Sequence, residues 1–258
     1  MSPPLFLVGA QRSGTTALAH AISAQAHAQR EGVFTVNGKL WYFLVRWLDA
    51  DDLAARHFRA DEISHALRRR PAQGAAADEW LAQADRALRA LARRVSRGQY
   101  APNRAGVLSA RRDLAAEMAG PDWWGDKYNE YLMQLPELHD TFPDARWIFL
   151  SRDPSEVISS MLAWTGDRPW NPVTRQDAEA KWAAWNSRWL AFRDQLKPSQ
   201  FLEIDYADLC SGAAHPAVQE FTELDLSEPL SSYRRRSSGG AAVSAQGQRV
   251  WTALRDRS

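Results

Sequence analysis

The chain has 258 residues, of which 45% are hydrophobic, and a formal net charge of +1. This length is sufficient for one sizeable α/β core, so we expect a single domain over residues 1–258. Because Lys+Arg 32 nearly balances Asp+Glu 31, the chain lacks the strong positive field that attracts nucleic acids and anionic membranes, and neither is an expected partner.

The cysteine and hydropathy patterns bear on the compartment. Cys210 is the single cysteine of the sequence, which excludes an intrachain disulfide and a cysteine-based zinc site and favours a reducing compartment. The first apolar stretch follows no basic region and does not read as a signal peptide. The apolar stretch 40–48 contains Arg46 and is far too short to cross a bilayer. We expect a cytoplasmic protein with no membrane span, while its oligomeric state stays open.

The first predicted element is a buried strand that runs into a glycine-bounded loop. Residues 5–8 are apolar and predict a parallel strand, and the loop 9–14 opens a helix. Backbone N–H groups and a helix N-terminus in this arrangement hold a phosphate. The spacing matches the phosphate loop of triphosphatases, but Thr15 replaces its lysine. A single phosphate with a charged group beyond it fits better, and Arg12 is placed to meet that group.

Three helices are predicted outside this loop, over residues 61–70, 78–97 and 177–196. The last carries a stripe of large apolar residues at helical spacing, which we assign to the core rather than to an acceptor platform. The stripe consists of Trp182, Trp185, Trp189, Phe192 and Leu196. The tryptophans of less regular segments are candidates to face a bound acceptor, namely Trp41, Trp47, Trp164 and Trp170.

A strand over residues 147–150 predicts a second anion-binding position. Asp153 suits the N-cap of the next helix, and Glu156 stands where a capping box has its carboxylate. Arg152, at the carboxyl end of the strand, is well placed to meet an anion at the crevice of an α/β sheet. Ser160, in the following helix, is a second candidate to contact this anion. The alternative is that Arg152 pairs with Asp153 or Glu156 and that Ser160 is an ordinary helix residue.

Four segments together resemble the sulfotransferases that use 3′-phosphoadenylyl sulfate (PAPS). Residues 12–16, Arg-Ser-Gly-Thr-Thr, resemble the 5′-phosphosulfate loop of the bacterial and tyrosylprotein branch, with Gln11 replacing a proline. Arg152 with Ser160 resembles the 3′-phosphate motif. Residues 125–132 resemble the segment G-E-K-[ST]-P-x-Y-L, and residues 206–209 resemble Y-x-D-L. The four matches follow the family's order from Leu5 to Leu209.

The resemblance implies an α/β fold with a central parallel sheet flanked by helices, like that of P-loop nucleotide-binding proteins. It implies sulfuryl transfer from PAPS to a hydroxyl or amine of a small-molecule or glycan acceptor, with release of PAP and without a metal. Arg12 and Lys127 would then neutralise the sulfonate and the leaving phosphate. The residues implied to bind the nucleotide are Gln11, Arg12, Ser13, Gly14, Thr15, Thr16, Arg152, Ser160 and Tyr206.

The resemblance also implies a catalytic base and a closing loop. Related branches place a glutamate soon after the first helix, which favours Glu31, while His27 and His57 are the alternatives. The basic, Gly-containing segment 234–240 either closes over the 3′-phosphate or is a linker before a short helix over residues 250–254. Two other functions stay open, an ATP-dependent small-molecule kinase with a degenerate phosphate loop and a nucleotide-binding protein without catalysis.

Overall fold

The computed structural model describes residues 2–119, 123–165, 171–235 and 242–256, in which five parallel strands form one sheet. The strands are β1 (Leu5–Val8), β2 (Val33–Val36), β3 (Trp124–Lys127), β4 (Arg146–Ser151) and β5 (Phe201–Asp205). Their order across the sheet is β2-β3-β1-β4-β5. Leu7 of β1 lies level with Lys127 of β3 and Ile148 of β4. All carboxyl ends therefore meet at one edge of the sheet, which we call the carboxyl edge.

Helices cover both faces of this sheet. They are α1 (Thr15–Arg30), α2 (Leu40–Trp47), α3 (Ala50–Ala54), α4 (Ala60–Arg69), α5 (Ala77–Ser96), α6 (Arg104–Met118), α7 (Leu135–Thr141), α8 (Pro154–Leu162), α9 (Arg175–Arg193), α10 (Tyr206–Ser211), α11 (His215–Thr222), α12 (Ser227–Ser231) and α13 (Ala245–Arg255). Short 3₁₀ turns cover Asn129–Met133 and Pro198–Gln200. The predicted α/β class is confirmed.

The alternation of side chains along each strand divides the core in two. Phe6 and Val8 of β1 pack in a large cluster with α2, α4–α9 and α13. Leu5 and Leu7 point the other way, into a smaller cluster with α1 and α10–α12. Buried on both faces, β1 is a continuous apolar run, as is usual for an internal parallel strand.

The aromatic stripe of α9 belongs to the core, as its spacing predicted. All five stripe residues are buried, and the Trp189 ring stacks on Phe149 of β4 at 4.7 Å with 2° between the ring planes. The expectation that Trp41 faces an acceptor is wrong, because Trp41 is 2% exposed and packs on Trp124 and Phe142. Trp47 and Trp164 are partly exposed. Trp170 lies outside the described residues.

Helix ends differ from the predictions where side chains find other partners. Asp153 caps α8 as expected and accepts hydrogen bonds from the Ser155 and Glu156 backbone N–H groups. The Glu156 side chain does not complete a capping box, since it pairs with arginines. The last helix begins earlier than expected, because Ser244 accepts a hydrogen bond from the Gly247 N–H and caps it. In the described part of the chain, no helix combines the length and the hydropathy that a membrane span requires.

The buried stripe gives a stability prediction. Trp189→Ala removes a fully buried ring and leaves a cavity beside Phe149, and we expect it to lower the free energy of unfolding by about 3–5 kcal/mol. Urea denaturation followed by circular dichroism measures this loss. The adjacent exposed variant Arg188→Ala is the matched control and should unfold like the wild type. Equal unfolding midpoints for Trp189→Ala and the wild type would contradict the core assignment.

Candidate active site

The loop between β1 and α1, residues 9–14, requires glycine at two positions and is here called the N-terminal loop. Gly14 has φ 95, in the left-handed region, and a Cβ there would lie 2.7 Å from the Tyr206 ring. At Gly9 a Cβ would lie 2.5 Å from the Leu150 carbonyl oxygen. The loop therefore packs directly against the ends of β4 and β5, and its shape depends on the absence of side chains at these positions.

Two features of this loop suit an anion. It leads into the first turn of α1, where the Ala17 N–H donates to the Gly14 carbonyl at 3.2 Å, while the N–H groups of Thr15 and Thr16 precede the first carbonyl partners that a helix offers. Ser13 is 1% exposed, and within the described chain its hydroxyl oxygen has no hydrogen-bond partner. A buried hydroxyl normally finds a partner, so an oxyanion with several acceptor oxygens fits this loop.

The Lys127 side chain enters the site from the end of β3. It is 2% exposed, and its Nζ donates to Thr16 Oγ1 at 3.1 Å, Asn37 Oδ1 at 3.2 Å and Asn129 Oδ1 at 2.8 Å. Burial lowers the pKa of Lys127 to about 8, while the negative charges of Glu130 and Asp126 act in the opposite direction. The structure thus brings Lys127 against Thr16, next to the N-terminal loop.

Two asparagines that the sequence analysis did not select hold this arrangement. Asn129 Nδ2 donates to the Gly9 carbonyl at 2.7 Å and to Thr15 Oγ1 at 3.2 Å, so it joins the turn after β3 to the N-terminal loop. Asn37 lies directly after β2. The sequence signal for Asn129 is its departure from the proline of the family segment, whereas Asn37 follows a strand that was not predicted.

Asp126 fixes the turn between β2 and α2. Its carboxylate accepts hydrogen bonds from Thr35 Oγ1 at 2.8 Å, the Gly38 N–H at 2.9 Å, the Lys39 N–H at 3.2 Å and the Tyr131 hydroxyl at 2.5 Å. Burial raises the pKa of this fully enclosed carboxyl, and the four donors lower it. Asp126 therefore positions the turn that carries Asn37 and Lys39 to the carboxyl edge.

The structure also brings Arg12, Arg152 and Ser160 together. Arg12 Nε donates to Ser160 Oγ at 3.0 Å, and Arg152 Nη1 donates to the Arg12 carbonyl at 3.1 Å. The Arg152 guanidinium lies 4.3 Å from the centre of the Tyr206 ring, which in turn covers Gly14. The predicted 5′ and 3′ motifs are thus in direct contact across neighbouring strands β1 and β4.

Arg152 also makes the ion pair that the alternative interpretation expected. Arg152 Nε donates to Glu156 Oε2 at 2.9 Å, and Arg235 Nε donates to Glu156 Oε1 at 2.8 Å. Glu156 is 4% exposed, so one buried carboxylate holds two arginines at the same place. The remainder of the predicted closing loop, residues 236–240, lies outside the described residues.

The structure does not bring Glu31 or His27 to this edge. Glu31 follows the C-terminal end of α1, a helix of 16 residues that spans about 24 Å. It is exposed and precedes β2, so it lies at the opposite edge of the sheet from Thr15. His27 is exposed in the last turn of α1, and His57 is exposed between α3 and α4. Glu31 was expected to act as the base because it follows the loop closely along the chain, but the length of α1 places it far from the loop.

A cleft of about 700 Å³ opens beside Lys127. Its walls are α2 with the preceding Lys39, α4 with Arg70, and Tyr128, which follows Lys127 directly. The residues that line it are Lys39, Phe43, Trp47, Asp61, Glu62, His65, Ala66, Arg69, Arg70 and Tyr128. Phe43 and Trp47 stack at 4.8 Å and form an aromatic wall. Helix α4 was predicted from the sequence, but its position in the wall of this cleft was not.

Among the residues that the structure describes, no group of three or more His, Cys, Asp or Glu side chains is arranged to hold a metal ion. The charged groups of the candidate site are instead cations with single carboxylates between them. Such an arrangement suits an anionic ligand, which the arginine and lysine side chains bind by charge-assisted hydrogen bonds.

Two solved structures resemble the chain over nearly its whole length. The sulfotransferase domain from the curacin biosynthetic pathway is 16% identical, with a TM-score of 0.58 and coverage of 99% of this chain and 98% of that one. The sulfotransferase domain from the Synechococcus PCC 7002 olefin synthase is 15% identical, with a TM-score of 0.61 and coverage of 99% and 95%. At these identities the likeness shows the fold alone. No curated protein matches the sequence.

The sequence itself matches a family model. The match extends over residues 3–228 and so includes the N-terminal loop, Lys127, Arg152, Ser160 and Tyr206. The model is that of the sulfotransferase family, and the chain belongs to this family.

Proposed function

We propose that the protein transfers a sulfuryl group from PAPS to a hydroxyl or amine of a small-molecule or glycan acceptor and releases PAP. The observation that carries this proposal is the position of Lys127. A triphosphate-binding loop carries its lysine at the position of Thr15, whereas here the cation comes from β3 and contacts Thr16. Arg12 and Lys127 then flank the place where a sulfonate follows a single phosphate.

The donor site in this proposal has two halves. The N-terminal loop from Gln11, with Thr15 and Thr16, holds the 5′-phosphate at the start of α1. Arg152 and Ser160 bind the 3′-phosphate, and Tyr206 supports the Arg152 guanidinium from below. Glu156 keeps Arg152 in place before the ligand arrives, because it accepts from Arg152 Nε and leaves the guanidinium directed at the Arg12 carbonyl.

During the reaction, the acceptor oxygen forms a bond to sulfur as the bond between sulfur and the 5′-phosphate oxygen breaks. The electron pair of that bond stays on the phosphate oxygen. Arg12 and Lys127 stabilise the negative charge as it shifts from the sulfonate to the leaving phosphate.

The acceptor occupies the cleft between α2 and α4, whose wall ends at Tyr128 beside Lys127. Its volume suits a small molecule or a sugar unit. The family match over residues 3–228 supports one catalytic domain, and the single cysteine supports a reducing compartment such as the cytoplasm.

Arg12 should matter more for turnover than for binding. Arg12→Ala removes a charged donor whose interaction strengthens in the transition state, so kcat should fall about a hundredfold. Labelled PAPS with a panel of phenols, alcohols, amines and glycans measures the rate, and calorimetry measures PAP affinity. Arg30→Ala, an exposed arginine at the other end of α1, is the control and should leave both values unchanged. Wild-type turnover by Arg12→Ala would refute this role.

Selectivity for the 3′-phosphate separates PAPS from other nucleotides. Charged hydrogen bonds to this phosphate should give the wild type a preference for PAP over AMP of about one to two orders of magnitude. Arg152→Ala should abolish most of this preference by weakening PAP alone, and Ser160→Ala should reduce it less because its hydroxyl is neutral.

Calorimetry with both nucleotides decides this prediction. Arg146→Ala changes an arginine at the opposite end of β4 and is the control, with unchanged preference. Equal wild-type affinity for PAP and AMP would rule out PAPS as the donor. Binding of ATP with magnesium in place of PAP would favour the kinase alternative.

The lowered pKa of Lys127 predicts the pH dependence of binding. Below about pH 8 the free protein carries a Lys127 ammonium, and above it the amine is increasingly neutral. A bound polyanion raises this pKa again, so PAP affinity should fall as the pH rises from 7 to 10. In Lys127→Met the affinity should be lower at pH 7 and this part of the pH dependence should vanish. The exposed variant Lys197→Met should titrate like the wild type, and identical slopes for Lys127→Met and the wild type would contradict the assignment.

A further inference from the structure

Glu130 places a carboxylate between the N-terminal loop and the acceptor cleft. It lies in the 3₁₀ turn Asn129–Met133, three positions after Lys127, and it is half-buried. Its Oε1 accepts a hydrogen bond from Gln11 Nε2 at 3.4 Å. Its neighbour Tyr128 lines the cleft. Glu130 is therefore at the carboxyl edge, on the side where the acceptor enters.

The charges around Glu130 come from several elements. Burial lowers the pKa values of Lys127 on β3, Lys39 before α2 and Lys181 on α9, with Arg70 adding to the effect at Lys39. The negative charge of Glu130 acts against this lowering at all three lysines. Burial and then Glu130 raise the pKa of Tyr128. One carboxylate thus lies within electrostatic reach of three ammonium groups and of the cleft wall.

Asp126 and Glu156, two other carboxylates near the N-terminal loop, have different commitments. Asp126 accepts from two side-chain hydroxyls and two backbone N–H groups. Glu156 holds Arg152 and Arg235. Glu130 accepts an amide hydrogen bond of 3.4 Å from Gln11 Nε2 and a hydrogen bond from the Tyr128 hydroxyl. Both donors are neutral, so Glu130 is better placed than these two carboxylates to exchange a hydrogen bond with an incoming acceptor.

We propose that Glu130 is the general base of the reaction, an inference that rests on the proposed function. The acceptor hydroxyl would donate its proton to a Glu130 oxygen as its own oxygen forms the bond to sulfur. The bond from sulfur to the 5′-phosphate oxygen breaks, and that oxygen keeps the electron pair. Lys39, Lys127 and Lys181 place positive charge around the site, which stabilises the acceptor oxygen as it loses its proton. This role replaces that of Glu31, which lies at the opposite edge of the sheet.

The test compares acceptors that differ in their need for a base. Full-length wild type and Glu130→Gln are assayed with labelled PAPS and either 2-phenylethanol or 4-nitrophenol, with PAP affinity measured by calorimetry. We expect Glu130→Gln to lower kcat by about 10²–10⁴ with the alcohol. The loss should be much smaller with the acidic phenol, which is ionised without help, and PAP affinity should change little. Where neither probe is sulfated, the hydrolysis of PAPS takes the place of the alcohol reaction, because water also needs a base to act as the acceptor.

Three further variants distinguish a base from a structural carboxylate. Glu130→Asp should recover part of the rate with the alcohol, because it restores the proton acceptor. Glu137→Gln, an exposed glutamate of α7, and Glu31→Gln should behave like the wild type.

Several outcomes would overturn the assignment. An unchanged rate in Glu130→Gln, or an equal loss with both probes together with a loss of PAP affinity, would show that Glu130 only positions the loop and the lysines. A loss confined to His65→Gln, which changes an exposed histidine of the cleft, would move the role to α4. A wild type that neither binds PAP nor releases sulfate or sulfated product would instead refute the proposed function. Normal wild-type transfer with a contrary Glu130→Gln result would refute the base alone.

Discussion

The buried ammonium of Lys127 is the constraint on which the carboxyl edge depends. A lysine that is 2% exposed has to use its three protons, and three oxygens accept them, from Thr16, Asn37 and Asn129. These acceptors belong to the start of α1, the turn after β2 and the turn after β3. Because β3 lies between β1 and β2, one side chain at its end reaches all three. Asp126 and Asn129 hold the turns that carry these acceptor oxygens, so their positions serve the same need to satisfy the buried ammonium.

This arrangement prepares the site for a negative charge. Cations gathered in a partly desolvated place lose hydration, which lowers the pKa values of Lys127 and Lys39, and repulsion from Arg70 lowers that of Lys39 further. Glu156 offsets part of that cost at Arg152 and Arg235, and Glu130 offsets part of it among the lysines. An anionic ligand removes the rest. Because Arg12, Arg152 and Lys127 are already held by hydrogen bonds, little reorganisation is needed when charge develops.

The sequence was sufficient for those parts of the fold and site that depend on local pattern. The strand and loop before α1, the position of Arg152 after β4 and the buried stripe of α9 follow from apolar runs, glycine spacing and helical periodicity. That Arg12 and Arg152 lie at the same edge also follows, because each comes soon after a strand of a parallel sheet, whereas the contact between Arg12 and Ser160 was not predicted. The sulfotransferase resemblance, drawn from the same segments, agrees with the family match.

The rest depends on contacts between segments far apart in the chain. Asn37 and Glu130 reach the site only because β3 inserts between β1 and β2, and nothing in the local pattern near either residue reveals that insertion. Glu31 is the opposite case. It is close to the N-terminal loop along the chain, but helix α1 separates the two by about 24 Å. Trp41 was misassigned because helix α2, which buries it, was not predicted from the sequence.

In the proposed function, the same helix geometry separates the donor site from the acceptor site. The anion would bind at the amides of the first turn of α1, so the chemistry would be confined to the carboxyl edge, away from the far end of α1. The cleft wall is built from α2 and α4, which contribute no residue to the N-terminal loop or to the Arg152–Ser160 pair. The proposed donor and acceptor sites meet at Lys127, which ends β3, and at Tyr128 and Glu130, which follow it. Under this proposal, changes in α2 and α4 would alter the acceptor while the donor site keeps its geometry, provided that the turn after β3 is retained.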